Sequence, residues 1–111
     1  MTDDMEDWLI EVGDYVIQKK ANVGLDGLST IEVAIYAMWV VDYSVRNSGT
    51  LFPMTELYPE ALEKLAAFAA DNHLEALNAL ASAECDDEAY GDVFYQWFEL
   101  ATLELKHLHS R

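Results

Sequence analysis

The chain has 111 residues, 21 of them Asp or Glu against six Lys or Arg, which gives a formal net charge of -15 at pH 7. Charge of that sign and density disfavours contact with nucleic acid or an anionic membrane, and it favours a basic partner. Apolar residues make up 52% of the chain, with three Trp, six Tyr and four Phe, which excludes an acidic disordered polymer and leaves enough for the core of one domain over residues 1–111.

The residue spacing predicts helices throughout. A first helix is expected over about residues 3–21, with Asp3, Asp4, Glu6 and Asp7 in its first turns and Lys19 and Lys20 in its last, where each sign complements the helix dipole. Met5, Trp8, Val12, Tyr15 and Val16 give it an apolar stripe. Residues 22–28, with Gly24 and Gly27, read as a turn. Ser29 followed by Glu32 is a capping box opening a second helix. Ile31, Val33, Ala34, Ile35, Met38, Trp39, Val40, Val41 and Val45 make that helix apolar on most sides, as a central buried helix is. Asp42 is a lone carboxylate late in it, and a structural hydrogen bond into the following loop is expected.

Residues 46–54, RNSGTLFPM, read as that loop. Asn47 and Gly49 suit positive-φ positions in it. Pro59 fits the first turn of a third helix, whose buried face is Leu62, Leu65, Ala66, Phe68 and Ala69. Asp71 or Asn72 marks a break, and Leu74, Leu77, Leu80 and Ala81 continue the pattern. Asp86 caps a last helix to about residue 107, packed through Tyr90, Val93, Phe94, Trp97, Phe98, Ala101, Leu105 and Leu108. The fold class is therefore all-α, one compact bundle of about five helices.

Little in the chain suggests catalysis. It has no glycine-rich phosphate loop and no GxSxG turn. Cys85 with His73, His107 or His109 as base would make a nucleophile, but Glu84, Asp86 and Asp87 beside it disfavour the thiolate. His107 and His109, two apart, point to different faces of a helix and would not share a metal; a frayed tail is expected there, and Glu104 is placed to pair weakly with His107. Trp39 and Trp97 are expected in the core and Trp8 partly exposed, while Tyr58, Tyr90 and Tyr95 either line an interface or pack inside. No enzyme activity, cofactor or metal is expected. A lone cysteine is compatible with a reducing cytoplasm, the acidic start does not look like a secretion signal, and no apolar run reaches the roughly 18 residues of a membrane span.

The charge is unevenly placed. Residues 1–18 carry Asp3, Asp4, Glu6, Asp7, Glu11 and Asp14 and no Lys or Arg; residues 65–105 carry Asp71, Glu75, Glu84, Asp86, Asp87, Glu88, Asp92, Glu99 and Glu104 and again no Lys or Arg. On a helix Glu88 and Asp92, Asp3 and Asp7, Asp7 and Glu11, and an unbroken Asp71 and Glu75 would each share a face about 6 Å apart. Duplex DNA presents a comparable dense row of single negative charges. Carboxylates held on rigid helices are thus expected to enter a basic DNA-binding cleft as phosphates do. The candidate partner-binding residues are Asp3, Asp7, Glu11, Asp71, Glu75, Glu84, Asp86, Asp87, Glu88 and Asp92.

LSTIEVAIYAMWVVDYSVRNSGTLF resembles the opening motif of the DNA-mimic-protein family, through Leu28, Ser29, Tyr36, Val45, Asn47, Gly49 and Phe52. YPEALEKLAAFAADNHLEALNAL resembles the family's next helix pair and DEAYGDVFYQWFELATLEL its last helix, so the similarity spans residues 28–108. Ser48 stands where the family has a second glycine, and the aromatic run after the turn is shortened to Leu51-Phe52-Pro53. The resemblance implies an all-helical fold and, in the family's characterised branch, an acidic surface that occupies the DNA-binding site of a transcription factor. The expected function is a protein-binding inhibitor of a basic DNA-binding protein. The alternatives are an immunity-type protein neutralising a basic toxin, or a small enzyme. Any homodimer is expected to use an apolar patch, since acidic faces repel.

Overall fold

The computed structural model describes residues 4–83 and 86–110, apart from the side chains of Asp87 and Glu88. Among the described residues it contains six α-helices and no strand: α1 (Asp4–Val23), α2 (Thr30–Ser48), α3 (Phe52–Leu57), α4 (Ala61–Asn72), α5 (Glu75–Ala81) and α6 (Asp87–His109). Its radius of gyration, 12.8 Å, matches the roughly 13 Å of a single domain of about this length. The expected all-α bundle is correct, with one helix more than predicted.

The acidic first turn and Lys20 in the last turn bracket α1, which runs slightly past its predicted end. Gly24 stops it at φ 76°, and its N–H reaches the carbonyl of Lys20 at 2.7 Å. The rest of the expected turn is a short 3-10 turn, Leu25–Gly27. Leu9 and Val16 are fully buried, and Met5, Trp8 and Val12 are half-buried. Tyr15 is 56% exposed and leaves the predicted stripe, because successive residues lie about 100° apart round a helix and Val16 takes the inward position.

The capping box at α2 forms as predicted. The Glu32 N–H donates to Ser29 Oγ at 3.3 Å, and the Ser29 N–H donates to Glu32 Oε1 at 2.9 Å. Lys19 Nζ reaches the same carboxylate at 2.9 and 3.0 Å, which ties α1 to the start of α2. The Ser29 backbone hydrogen bond, then that of Lys19, hold the Glu32 carboxyl below its ordinary pKa of 4.5. A lowered folded-state pKa means that this stabilisation is complete above the unfolded value and is lost as pH falls through the folded one. Glu32→Ala is therefore expected to cost about 1 kcal/mol near neutral pH, with the difference from wild type closing below the ordinary carboxylate range. Paired urea titrations across pH check this, and the comparison cancels the general relief of acidic repulsion.

α2 is the central helix. Ala34 to Met38, Val40, Val41 and Val45 are buried, and the helix touches α1, α3, α4 and α6. The segment expected as a loop over 46–54 is a correction. α2 continues through Ser48, and α3 begins at Phe52 with Pro53 in its first turn, where the missing N–H costs nothing. Gly49 closes α2 at φ 76°, its N–H bonded to Val45 O at 2.9 Å. Asn47 is helical rather than at positive φ, and its Nδ2 donates to Tyr43 O at 2.9 Å. Ser48 Oγ donates to Ser44 O at 2.8 Å and accepts from the Thr50 N–H at 3.2 Å, so Ser48 closes the turn with its own side chain.

Pro59 precedes α4 rather than opening it; Pro53 fills the role that was expected of Pro59. Leu65 and Ala69 are buried, with Leu62, Ala66 and Phe68 half-buried beside them. α4 ends at Asn72, and His73 takes the left-handed conformation, φ 57°. Leu77 and Leu80 then bury α5 against α4 and α6. Tyr90, Phe94, Phe98, Ala101 and Leu105 line the inner face of α6, and Tyr90 Oη donates to Leu80 O at 2.8 Å. Trp39 and Trp97, expected in the core, are half-buried at its margin, as is Trp8. Tyr58 and Tyr90 are buried, whereas Tyr95 is 53% exposed. No described helix is long and apolar enough to cross a membrane.

Candidate functional site

An i, i+3, i+4 series keeps side chains on one stripe of a helix. In α1 that series is Asp4, Asp7, Glu11 and Asp14, and all four are exposed on the face opposite Leu9 and Val16. At about 1.5 Å rise per residue the row is roughly 15 Å long. Among the described residues none of the four carboxylates is in an ion pair, and Asp14 instead accepts from Gln18 Nε2 at 3.3 Å. Asp7 and Glu11 were expected in a binding row; Asp4 and Asp14 complete it, and their spacing was already in the sequence.

The cations nearest this row are turned away from it. Lys19 is held by Glu32, and this carboxylate raises its pKa. Lys20 Nζ lies 5.2 Å from the centre of the Tyr36 ring. Arg46 makes ion pairs with Glu6 at 3.0 Å and Asp42 at 2.5 Å. It also lies over the rings of Phe98, Tyr95 and Phe94, at 4.9, 5.2 and 6.0 Å. Burial opposes its charge, but the Asp42 hydrogen bond and the carboxylates of Asp42 and Glu6 outweigh burial and raise its pKa. Arg46 thus joins α2 to α1 and α6. Asp42 makes the structural hydrogen bond expected of it, to the first residue of the segment read as a loop, but that residue is helical and lies one turn along α2. The same pairing engages the Arg46 guanidinium with Glu6 of α1 rather than with the acidic row.

The remaining candidates are spread over several elements. Asp71 and Glu75 are both exposed, but they sit on different helices, because the His73 turn separates α4 from α5 close to the expected break, so the unbroken helix that a shared face required is absent. Asp86 is exposed and stands at the N-cap of α6 as predicted, with its carbonyl accepting from the N–H groups of Ala89 and Tyr90, but its side chain makes no capping bond. Asp92 and Glu99 are exposed two turns apart on α6. Asp3, Glu84 and Cys85, and the side chains of Asp87 and Glu88, lie outside the described residues. The Asp3–Asp7 and Glu88–Asp92 pairs therefore have no described geometry.

Glu104 is a further correction. Its carboxylate accepts from the N–H groups of Leu77 at 2.8 Å and Ala76 at 3.2 Å, so it caps α5 from α6 rather than serving His107. α5 has no side-chain cap of its own at Leu74. Glu104→Ala leaves those two N–H groups without their acceptor and is expected to cost about 1–3 kcal/mol. Glu104→Gln keeps an acceptor and should lose less. Urea unfolding and the exchange rates of the Ala76 and Leu77 amides check both.

The frayed C-terminal tail is also corrected, for α6 runs through His109, whose ring meets Trp8 edge-on at 6.0 Å. Among the described residues no group of His, Cys, Asp or Glu is placed to hold a metal ion. No family model, no curated protein and no solved structure matches this chain.

Proposed function

We propose that this protein is an acidic inhibitor that binds a basic DNA-binding protein by presenting carboxylates where DNA would present phosphates. Membership of the DNA-mimic family is part of the same proposal. The observation that supports the reading is the row Asp4, Asp7, Glu11 and Asp14 on a rigid helix, with Lys19 and Arg46 engaged elsewhere. Rigidity matters because carboxylates already held in a row pay less ordering entropy on binding than a disordered acidic tail does.

Affinity capture followed by DNA competition tests the proposal. The captured partner should be basic, released by added salt and displaced by duplex DNA. Neutralising the row with Asp4→Asn, Asp7→Asn, Glu11→Gln and Asp14→Asn should weaken binding by about tenfold or more, roughly 1.4 kcal/mol. The same variant should be slightly more stable, because like charges at this spacing repel by about 0.2–0.5 kcal/mol per pair. Salt-insensitive binding, or a ternary complex with DNA, overturns the proposal. Capture of a basic toxin that DNA does not displace favours the immunity-type alternative.

A further inference from the structure

On the side of α6 next to α5, Trp97 is half-buried, and Leu100 and Leu103 are 54% and 38% exposed. They line a groove of about 280 Å³ between α5 and α6, together with Glu75, Glu104 and His107. It adjoins a second depression of about 490 Å³ that shares Glu104 and His107 and continues over Leu74 and Leu108. Glu104 borders both depressions and Glu75 the first alone, and neither depression contains Lys or Arg. Residues 97 to 107 of α6 extend about 15 Å, the length of roughly three helical turns.

We propose that this groove takes an amphipathic basic helix, with two apolar side chains one turn apart seated on Leu100 and Leu103 and its Lys or Arg residues toward Glu75. A trough between two helices accepts a third by ridge-into-groove packing, and an apolar stripe at helical spacing is what such a trough selects. Charge chooses the sign of the partner. The exposed Glu75 carboxylate and the -15 of the whole chain favour a cation, while Glu104 is held by the α5 N–H groups. A second copy of this chain would bring the same charge and the same Glu75 to the contact. The surface lies apart from the acidic row of α1 and contributes an apolar, salt-resistant part to recognition, so it does not depend on the DNA-mimic reading.

The test uses two fluorescent peptides of identical Lys and Leu composition, one with Leu on a single helical face and one with the order scrambled. Anisotropy is measured at high salt, where exposed charge pairs are screened. The amphipathic peptide should bind the full-length protein about tenfold more tightly than the scrambled one. Leu100→Ser with Leu103→Ser should remove that preference with little change in thermal stability, since both side chains are exposed. The protein neutralised along α1 should keep the preference. Equal binding of the two peptides overturns the proposal, as does a preference lost with the α1 charges but kept in the leucine variant. Sedimentation showing a dimer that the leucine variant abolishes also overturns it, because the groove is then covered by a second copy.

Discussion

Phe94→Ala is expected to destabilise the bundle by about 3–5 kcal/mol, a large part of the roughly 5–15 kcal/mol that holds a domain of this size. Phe94 is fully buried. Its ring lies 5.1 Å from that of Phe98, 5.4 Å from that of Tyr95 and 6.4 Å from that of Tyr90, with the Arg46 guanidinium 6.0 Å away. Removing it opens a cavity that fixed helices on either side cannot fill, and it takes away one face of the stack that shields Arg46. The melting temperature should fall by roughly 10–25 °C. Phe94→Leu, which keeps most of the volume, should lose far less. Equal losses for the two would mean that the site collapses freely and that the packing described here does not govern stability.

Arg46→Met is expected to cost about 2–3 kcal/mol. Breaking a fully buried ion pair costs more, about 3–5 kcal/mol, but the Arg46 side chain is 25% exposed and water screens part of the effect. The variant leaves Asp42, with 7% side-chain exposure, and Glu6 without this cation, and it loosens α1 and α6 from α2. Arg46→Lys should recover only part of the loss, because one ammonium cannot serve two carboxylates and three ring faces as a planar guanidinium does. Lys64→Met changes the net charge by the same amount at an exposed site and should stay within about 0.5 kcal/mol of wild type. A double-mutant cycle with Asp42→Asn should show a coupling above about 0.5 kcal/mol. Additive losses would refute the pairing as a source of stability.

These two residues show how far the sequence could be read. Phe94 was legible as core, because Tyr90, Phe94, Phe98, Ala101 and Leu105 repeat at the helical period and only one face of a helix can meet a core. Arg46 was read as the start of a loop, since Asn47, Gly49 and Pro53 follow it closely. Only the neighbouring helices show that it is the last turn of α2 and that α1 and α6 supply its partners. The α3 helix was missed for a related reason, for six residues are too few to carry a period, and Met54 packing into the core holds it. The row on α1 was half legible, with Asp7 and Glu11 named and Asp4 and Asp14 passed over despite their i, i+3 spacing.

The sequence by itself determined the all-α class, the central position of α2, the Ser29–Glu32 cap and the concentration of charge in stretches without a base. Each of these rests on residues within about one turn of one another, where spacing along the chain sets spacing in space. The tertiary structure alone decided which carboxylates remain on the surface as a row and which are taken inside. Glu104 travels 27 residues to cap α5, Glu6 and Asp42 are consumed by Arg46, and the left-handed His73 divides Asp71 from Glu75. A charge count treats these acids alike. Packing distinguishes them, because a carboxylate facing water stays available to a partner, while one brought against N–H groups or a guanidinium holds the fold together.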